Sequence, residues 1–407
     1  MSSRKIVEKL RLKVRAGRIK AKVSERGFEV RLDRPTSPVD GPFALVIGVL
    51  FVKNKVKIES AELRTDQNEV VRVLLHDRPD LTRDYKGVDS HGFTVILENA
   101  GDDNNTSCTL IFRVDGLLIE HPIKIEFGQK RFGTFLHQKK VKLHRIQDIL
   151  QCPECTGPME GGEPVCPNCK RTHAVNDRAY DFREDGLRNE LNSAREGNIS
   201  AHNYDRKALS LIEKHSGGLI LDNGCGLRET YYQNVVNFEI ADYPATDVLG
   251  VGEKLPFRDE SFDAVFSLSV LEHVRDPFRC VSEIMRVLKP GGDLFVAVPF
   301  LQPFHGYPNH YYNMTSSGLK QLFEGRAEID EIGVSRAGHP FWSLQWILAN
   351  YANGLSEKES IDFKNLRIGE LISPDPDLQE TLLAQLDNKK REELASFNYL
   401  LGKKPTN

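Results

Sequence analysis

The stretch GLILDNGCGLRET, residues 218–230, decides the fold of the central part of this chain. Its apolar run Leu219–Leu221 predicts a short buried strand that ends at Asp222. Gly224 and Gly226 follow at once and permit a tight turn whose backbone can approach a bound nucleotide-like ligand closely. The stretch therefore predicts the first strand and the ligand-binding turn of an α/β fold.

The segments that follow this turn alternate between strand and helix patterns. The sequence NFEIADY, residues 237–243, predicts an apolar second strand ending in Asp242, whose carboxylate is suited to accept both hydroxyls of a ribose. Residues 255–274 add a loop and a fourth strand over 264–268. Residues 283–300 add a helix, a Pro-Gly-Gly turn and a fifth strand. Helices that alternate with apolar strands predict a parallel sheet.

The motifs D-x-G-x-G, L-P-F-x-D-x-S-F-D, L-E-H-V and R-V-L-K-P-G-G occur in this order over about a quarter of the chain. This series resembles that of the class I S-adenosylmethionine-dependent methyltransferases, particularly the broad type-11 group. The resemblance implies a Rossmann-like fold with contacts to the methionine end, the ribose, the adenine and the sulfonium side of S-adenosylmethionine. The resemblance implies that Asp222, Gly224 and Gly226 contact the methionine end and that Asp242 contacts the ribose. It implies that Glu253 and Leu255 flank the adenine and that Ser267 to Leu271 line the sulfonium side.

Two positions depart from the pattern of this family. Arg228 stands where a third glycine is usual, and Val251 stands where an acidic residue often precedes the L-P-F motif. A backbone contact to the adenine would compensate for Val251. A domain that packs without binding the cofactor is kept as an alternative.

Four of the seven cysteines fall in one segment with the spacing C-x2-C-x10-C-x2-C. Each C-x-x-C turn presents two thiolates on one tight loop, and zinc prefers four such ligands in tetrahedral geometry. The predicted zinc ligands are Cys152, Cys155, Cys166 and Cys169. Four thiolates close the site, so the metal is expected to be structural and His173 is not needed as a ligand. The segment resembles the small zinc ribbons that precede or activate methyltransferases. A ribbon that has lost its metal or a redox pair is the alternative.

Short alternating apolar runs separated by turn residues occupy the chain from about residue 20 to residue 127. They predict an immunoglobulin-like β-sandwich. The predicted strands are 28–33, 43–52, 70–75, 93–98, 108–114 and 123–127. Residues 130–145 then carry six Lys or Arg and no acidic residue. For this basic segment, a solvated linker or strand edge is favoured over a nucleic-acid contact.

The segment VPFLQPFHGYPNHYYNMT, residues 298–315, follows the predicted fifth strand. Ligands of parallel α/β sheets bind outside the carboxyl ends of the strands, so this segment is expected to meet the methyl acceptor. Its candidates for a catalytic general base are His305 and His310, and its tyrosines offer flat faces to a ring-shaped acceptor. Hydrogen bonding within an ordered loop is the alternative for either histidine. His273 of the L-E-H-V motif is expected to shape the pocket.

These features predict an S-adenosylmethionine-dependent methyltransferase. The loop at 298–315 resembles one found in methyltransferases encoded beside glycan-building enzymes, so the favoured acceptor is a sugar hydroxyl on a glycan or glycolipid. The β-sandwich would then be an accessory recognition domain. The alternatives are an RNA or quinone-like methyltransferase and a non-catalytic scaffold. Residues 267–270 read SLSV in place of the N/D-P-P-Y signature of amino-group methylation, which weighs against nucleobase amino groups.

The chain has 407 residues, of which 40% are hydrophobic and 28% charged, as in a globular protein of several domains. A formal net charge of −3 argues against a general polyanion binder. We expect a β-sandwich over 1–145, a zinc ribbon over 146–183, an α/β methyltransferase domain over 184–340 and a helical extension over 341–407. No membrane span or signal peptide is expected, and the expected location is cytoplasmic.

Overall fold

The computed structural model describes residues 28–34, 43–53, 58–66, 69–77, 88–98, 105–126, 129–159, 165–175, 178–188, 203–305 and 309–394. The chain divides into two compact units. The first comprises Met1–Leu268 and Ser282–Val296, and the second comprises Ser269–Val281 and Ala297–Asn407.

The amino-terminal part of the first unit forms two four-stranded antiparallel sheets. The first sheet has the order β1-β2-β6-β5, with β1 (Phe28–Arg34), β2 (Phe43–Lys53), β6 (Val88–Glu98) and β5 (Leu74–Asp77). The second has the order β4-β3-β7-β8, with β4 (Val70–Arg72), β3 (Ile58–Thr65), β7 (Asn105–Val114) and β8 (Leu117–Glu126). One hydrophobic core contains side chains of both sheets, and in it the rings of Phe93 and Phe112 lie 5.5 Å apart.

The alternating apolar pattern located the six predicted strand segments, each of which overlaps a strand of these sheets. It missed β3, whose sequence IESAELRT buries only Leu63 and Thr65 fully. A strand with so few buried positions has too weak an alternation to be recognised from sequence.

The remainder of the first unit is built on a seven-stranded sheet with the order β15-β14-β11-β12-β13-β10-β9. Its strands are β9 (Ala174–Val175), β10 (Tyr180–Asp181), β11 (Ile220–Asn223), β12 (Val235–Glu239), β13 (Val248–Leu249), β14 (Phe262–Leu268) and β15 (Leu288–Ala297). β11 pairs in parallel with β12 and β14, and β13 pairs in parallel with β12 and β10. The predicted parallel arrangement is confirmed for β10 to β14, whereas β9 pairs antiparallel with β10. The second strand lies at 235–239 rather than at the predicted 237–243.

Among the described residues, α2 (Arg206–Lys214) precedes β11 and α3 (Pro277–Val287) follows β14 in the chain. Ala208 and Ile212 of α2 pack in one hydrophobic core with side chains of β11, β12 and β14. α3 connects β14 with β15. Residues 224–234 and 240–247, all of which the structure describes, contain no helix, so the predicted alternation of helix and strand fails at these two connections.

The basic segment at 130–145 lies in a helix, α1 (Gln129–Ile146). Lys139 and Lys142 of this helix are buried, so the expectation of a solvated linker or strand edge is wrong. The Lys139 ammonium donates hydrogen bonds to the carbonyl oxygens of Pro244 and Thr246, each at 2.7 Å. A buried ammonium needs such partners because its desolvation is costly.

Lys142 forms a fully buried ion pair with Asp247, with 2.9 Å between its Nζ and Oδ2. Its ammonium also donates to the Val235 carbonyl at 2.5 Å and lies over the Tyr231 ring, 3.5 Å from the ring centre. The Tyr231 hydroxyl donates to the other oxygen of Asp247. α1 is therefore fixed to the start of β12 and to the residue before β13.

The second unit is largely helical. Its helices are α4 (Ser316–Phe323), α5 (Pro340–Asn353), α6 (Glu357–Asn365), α7 (Ile368–Ile372), α8 (Pro376–Gln385) and α9 (Asn388–Glu393). The Tyr351 ring of α5 stacks on the Phe363 ring of α6 at 4.7 Å. The predicted helical tail is confirmed. Among the described residues, no helix combines the length and hydropathy that crossing a membrane requires.

Candidate functional site

The four clustered cysteines bring their sulfur atoms together at one point of the first unit. The Sγ atoms of Cys152 and Cys169 lie 3.7 Å apart, and those of Cys155 and Cys166 lie 3.5 Å apart. All four sulfurs lie within 4.8 Å of one another. Tetrahedral zinc with bonds of about 2.3 Å places its sulfur ligands roughly 3.8 Å apart. The sulfur positions therefore fit a zinc ion.

The two cysteine turns repeat the same backbone arrangement. The Thr156 N–H donates to the Cys152 carbonyl at 2.9 Å, and the Lys170 N–H donates to the Cys166 carbonyl at 3.0 Å. Thr156 and Lys170 both have positive φ, +56° and +61°. His173 is buried with its Nε2 3.6 Å from Cys152 Sγ, so it contacts a sulfur of the cluster.

The cysteine cluster is joined by backbone hydrogen bonds to the L-P-F segment of the parallel sheet. The Gln151 N–H donates to the Pro256 carbonyl at 3.0 Å, and the Arg258 N–H donates to the Ile149 carbonyl at 2.8 Å. After the cluster in the chain, β10 pairs directly with β13. The small cysteine-bearing module is therefore continuous with the sheet.

The glycine turn after β11 adopts the backbone that its sequence predicts. Gly224 has φ of +77° and Gly226 has φ of +62°, a region that costs glycine little. The Gly226 N–H donates to Glu239 Oε2 at 2.7 Å, and the Gly224 N–H donates to the Phe238 carbonyl at 2.9 Å. The turn is thus held against the carboxyl end of β12.

Asp222, at the end of β11, is fully buried and shares one oxygen with two donors. Its Oδ2 accepts from Arg228 Nη2 at 2.8 Å and from the Tyr204 hydroxyl at 2.5 Å. The Arg228 guanidinium also lies over the Tyr204 ring at 4.1 Å. The residue that replaces the third glycine therefore neutralises the aspartate of the motif.

Two buried oxygens beside this turn remain without a hydrogen-bond partner within the described part of the chain, Asp222 Oδ1 and Ser267 Oγ. Buried polar atoms are rarely left unsatisfied, and such exceptions often mark the place of a bound molecule. Together with the glycine turn, these oxygens suit a polar ligand with hydrogen-bond donors. Of the predicted cofactor contacts, the structure brings Asp222, Gly224, Gly226 and Ser267 to the carboxyl ends of neighbouring strands.

The acidic residue at the end of β12 is Glu239, which the sequence reasoning missed. Its carboxylate accepts from the Gly226 N–H and from the Ile240 N–H at 2.7 and 2.8 Å. Burial raises its pKa, and these hydrogen bonds oppose that rise. Asp242 lies three residues farther on, in the loop. The apolar pair before Asn237 was the signal that the strand begins at Val235.

The predicted adenine contacts lie in the segment before β14. Leu255 is fully buried and its N–H donates to Glu283 Oε2 at 2.9 Å. Its amide is therefore already engaged, whereas Glu253 and Val251 are half-buried. Leu271 is fully buried and belongs to the second unit.

In the second unit, Glu272, His273 and His305 form a cluster whose nitrogen and carboxylate ligand atoms lie within 4.8 Å of one another. Glu272 is fully buried, and neither carboxylate oxygen has a hydrogen-bond partner among the residues described. Burial raises the pKa of this carboxyl to about 8. The His310 ring lies 4.2 Å from the His305 ring, so the two predicted bases do lie together.

The histidines of this cluster differ in which ring nitrogens have hydrogen-bond partners. His273 Nδ1 lies 2.7 Å from the Asn309 carbonyl, and His305 Nδ1 lies 2.8 Å from the Pro303 carbonyl. His310 has both nitrogens engaged: Nδ1 accepts from the His305 N–H at 3.1 Å, and Nε2 lies 3.0 Å from Asn313 Oδ1. No hydrogen bond of His305 Nε2 is found among the described residues, and the His305 backbone N–H is held by His310.

The aromatic residues of this loop are only partly described. The backbone N–H groups of Tyr311 and Tyr312 donate to the Glu272 carbonyl, at 2.7 and 3.2 Å, and both side chains are exposed. Tyr307 lies outside the described residues. Sequence reasoning placed Glu272 and His273 on the L-E-H-V motif without foreseeing that His305 would join them.

Comparison with known proteins identifies related sequences. Residues 228–296 match the family model described as "Methyltransferase domain". A tRNA U34 carboxymethyltransferase of Campylobacter curvus is 34% identical over 87 residues, 19% of this chain and 29% of that protein. A protein of Mycolicibacterium smegmatis named "Probable S-adenosylmethionine-dependent methyltransferase" is 32% identical over 148 residues, 30% of this chain and 58% of its own length.

A third relative is cycloartenol-C-24-methyltransferase 1 of Oryza sativa subsp. japonica, 39% identical over 71 residues, 17% of this chain and 20% of that protein. The chain thus spans 29%, 58% and 20% of the lengths of these three relatives. Among solved structures, phosphoethanolamine N-methyltransferase 2 of Haemonchus contortus with S-adenosyl-L-methionine is 12% identical, with a TM-score of 0.28. That alignment covers 78% of this chain and 64% of that one.

Proposed function

We propose that this chain, which carries a class I S-adenosylmethionine-dependent methyltransferase domain, transfers a methyl group from S-adenosylmethionine to a hydroxyl oxygen. The observation that carries the proposal is the glycine turn after β11 beside two buried oxygens, on Asp222 and Ser267, without partners in the described part of the chain. The family match and the ordered motifs support the same cofactor.

Within this proposal, Asp222, Gly224 and Gly226 meet the methionine end of the cofactor. We assign the ribose to Glu239 rather than to Asp242, because an acidic residue that ends the second strand is placed to accept both hydroxyls. Glu239 ends β12, whereas Asp242 lies in the following loop. The adenine would lie between Glu253 and neighbouring backbone, since the Leu255 N–H is engaged by Glu283.

The four-cysteine cluster would hold a structural zinc ion. A closed shell of four thiolates leaves no coordination position for a substrate, so the metal stabilises the ribbon and takes no part in methyl transfer. The ribbon in turn supports the cofactor site, since its backbone contacts Pro256 and Arg258 beside the predicted adenine contacts.

Methyl transfer to a hydroxyl requires that the acceptor be aligned with the methyl group and that its proton leave. His305 is our candidate to assist proton loss, because its Nε2 remains available whereas both nitrogens of His310 are engaged. The two segments of the cluster follow directly on the carboxyl ends of β14 and β15 in the chain.

We propose a sugar hydroxyl on a glycan or glycolipid as the acceptor. The two antiparallel sheets would then act as an immunoglobulin-like accessory domain that recognises the substrate. The absence of an N/D-P-P-Y run at residues 267–270 supports an oxygen acceptor over a nucleobase amino group.

An RNA acceptor is the second candidate, because one relative is a tRNA U34 carboxymethyltransferase. Against it, the basic segment offers fewer free charges than its composition indicates. Lys139 and Lys142 are buried against protein groups, and the Arg145 guanidinium donates to the Gly217 and Gly218 carbonyls. Phosphate binding would require exposed cations.

Cofactor binding is tested by calorimetric titration of the purified protein with S-adenosylhomocysteine. Asp222→Asn is expected to weaken binding by about tenfold or more, because hydrogen bonds to a charged group contribute roughly 1.5–3 kcal/mol. Glu229→Gln, an exposed neighbour, is the matched control and should bind as the wild type does. A wild-type protein that fails to bind would favour the non-catalytic scaffold.

The acceptor is tested with methyl-labelled S-adenosylmethionine and an extract of the source organism, separated into polysaccharide, lipid, RNA and protein. Label in polysaccharide or glycolipid that is lost in His305→Ala supports the proposal. His137→Ala, which removes an exposed histidine of α1, serves as the control. Label that appears in RNA would overturn the sugar acceptor.

A further inference from the structure

The Glu272 carboxylate in the second unit lacks the partners that a buried carboxylate needs. It is fully buried, and neither of its oxygens accepts a hydrogen bond within the described part of the chain. Among the described residues, His273 places its Nε2 3.8 Å from Glu272 Oε1, beyond the length of a hydrogen bond. Buried charge is normally paired, hydrogen-bonded or bound to a metal. Within the described part of the chain, Glu272 has no side-chain hydrogen bond, and its one charged neighbour is a histidine nitrogen at 3.8 Å.

One imidazole nitrogen of His273 and one of His305 lie within 4.8 Å of the Glu272 carboxylate. His273 Nδ1 and His305 Nδ1 lie 2.7 and 2.8 Å from carbonyl oxygens. A carbonyl can only accept, so each Nδ1 carries the proton and donates it. Each Nε2 is then left with a free lone pair. This arrangement, in which the far nitrogen is fixed by a backbone carbonyl, is the usual support of a metal-binding histidine.

We propose that Glu272, His273 and His305 bind a divalent transition-metal ion, with Zn²⁺ as the first candidate. Two imidazole nitrogens and one carboxylate are the ligand set of many catalytic zinc sites, which keep a further position open. The same set also binds Fe²⁺. Bonds of about 2.0–2.2 Å would require the three ligand atoms, now within 4.8 Å of one another, to draw together by roughly an ångström.

His310 is not one of the ligands. Its Nδ1 accepts the His305 N–H and its Nε2 lies against Asn313, so both nitrogens are engaged. Its ring packs 4.2 Å from the His305 ring, which helps to hold His305 in place. The site therefore has three protein ligands, and it is distinct from the four-cysteine cluster.

The role of this ion rests on the proposed function. An acceptor hydroxyl that occupies the open position loses its proton more readily, because a bound divalent ion lowers the pKa of an oxygen ligand. The acceptor oxygen then forms a bond to the methyl carbon while the sulfur–methyl bond breaks. The products are the methyl ether and S-adenosylhomocysteine, and the proton passes to solvent. His305 would then act as a ligand rather than as a free base.

The test is a titration of the full chain with Co²⁺ after addition of a single equivalent of zinc, which the four thiolates are expected to bind first. Cobalt bound by nitrogen and oxygen gives weak visible bands, without the intense thiolate charge-transfer band that displacement of zinc from the cysteines would produce. We expect one equivalent of Co²⁺ to bind and to give the weak visible bands of nitrogen and oxygen ligands. Co²⁺ affinity should fall by more than about 100-fold in Glu272→Gln and His305→Ala, since even second-shell changes cost 10–100-fold.

Tyr312→Phe is the matched control from the same loop, because it removes only a hydroxyl that donates to the Arg275 carbonyl. Glu272→Gln keeps the shape of the side chain, and unchanged circular dichroism together with unchanged binding of S-adenosylhomocysteine would show that the variants are folded. A wild-type protein that binds no Co²⁺ beyond the cysteine cluster would overturn the proposal. So would Co²⁺ binding that survives in both variants.

The two proposals fail separately. Co²⁺ binding at this cluster without any methyl transfer would refute the proposed function and leave the metal site standing. Methyl transfer that is unchanged after the cluster has been stripped of metal would refute the role of the ion in the reaction, and His305 would then be a metal-free base.

Discussion

Replacement of Lys142 by methionine is expected to destabilise the first unit substantially. Lys142 and Asp247 form an ion pair in which both side chains are 0% exposed. Methionine preserves most of the side-chain volume, so the main effect is to leave the Asp247 charge buried without its cation. Breaking a buried pair in this way costs about 3–5 kcal/mol.

The partners that Asp247 keeps in the variant determine how much of this stability is lost. The Tyr231 hydroxyl and the Asn237 N–H still donate to its two oxygens, at 2.5 and 2.9 Å. We therefore expect a loss near the lower end, about 3 kcal/mol. At about 2–4 °C per kcal/mol for a folded unit of 150–250 residues, the midpoint of thermal unfolding should fall by roughly 6–12 °C.

Thermal unfolding followed by circular dichroism at neutral pH measures this loss. Lys140→Met is the matched control, because Lys140 is exposed on the same helix and its replacement should change stability by less than about 0.5 kcal/mol. The double variant Lys142→Met with Asp247→Asn should recover part of the loss, since it removes the unpaired charge. If Lys142→Met and Lys140→Met unfold at the same temperature, the buried pair contributes nothing and the reasoning is refuted.

Three further outcomes can be measured. Cys166→Ser should remove one equivalent of zinc by metal analysis, whereas Cys108→Ser, which alters a buried cysteine of the antiparallel sheets, should leave the zinc content unchanged. Glu239→Gln should weaken binding of S-adenosylhomocysteine by about tenfold and Asp242→Asn by less than about threefold; the reverse order would restore Asp242 as the ribose contact. Burial lowers the pKa of Lys142 from 10.5 to about 8, so the folded protein releases this proton at a lower pH than the unfolded chain does. The stability of the wild type relative to Lys142→Met should therefore rise between pH 8 and 10.5 in urea unfolding, and a difference that stays constant with pH would contradict this assignment.

Features encoded by local spacing could be predicted from the sequence. The two C-x-x-C turns, the glycine turn and the parallel strands each depend on residues that are neighbours in the chain. Their positions were therefore correct to within a few residues. The second strand was placed two residues late, so the prediction made Asp242 the acidic residue that ends it, whereas the strand ends at Glu239.

Features that depend on distant contacts could not be predicted in this way. The charge pattern of residues 130–145 gives no sign that Lys139 and Lys142 are buried, because their partners lie about a hundred positions away. Glu272 and His305 are likewise brought together only by the folded second unit. Arg228 looked like a departure from a glycine pattern until the structure placed its guanidinium on Asp222.

The pairing of β10 with β13 has a consequence for how the protein behaves at high concentration. β13 is only two residues long, and without β10 its outer N–H and C=O groups would form an open sheet edge. Open edges recruit strands from other molecules and lead to aggregation. If the cysteine cluster keeps β9 and β10 folded, chelation of its metal should uncover this edge, and light scattering should then rise with time. The same metal would thereby determine the solubility and shelf life of the purified protein.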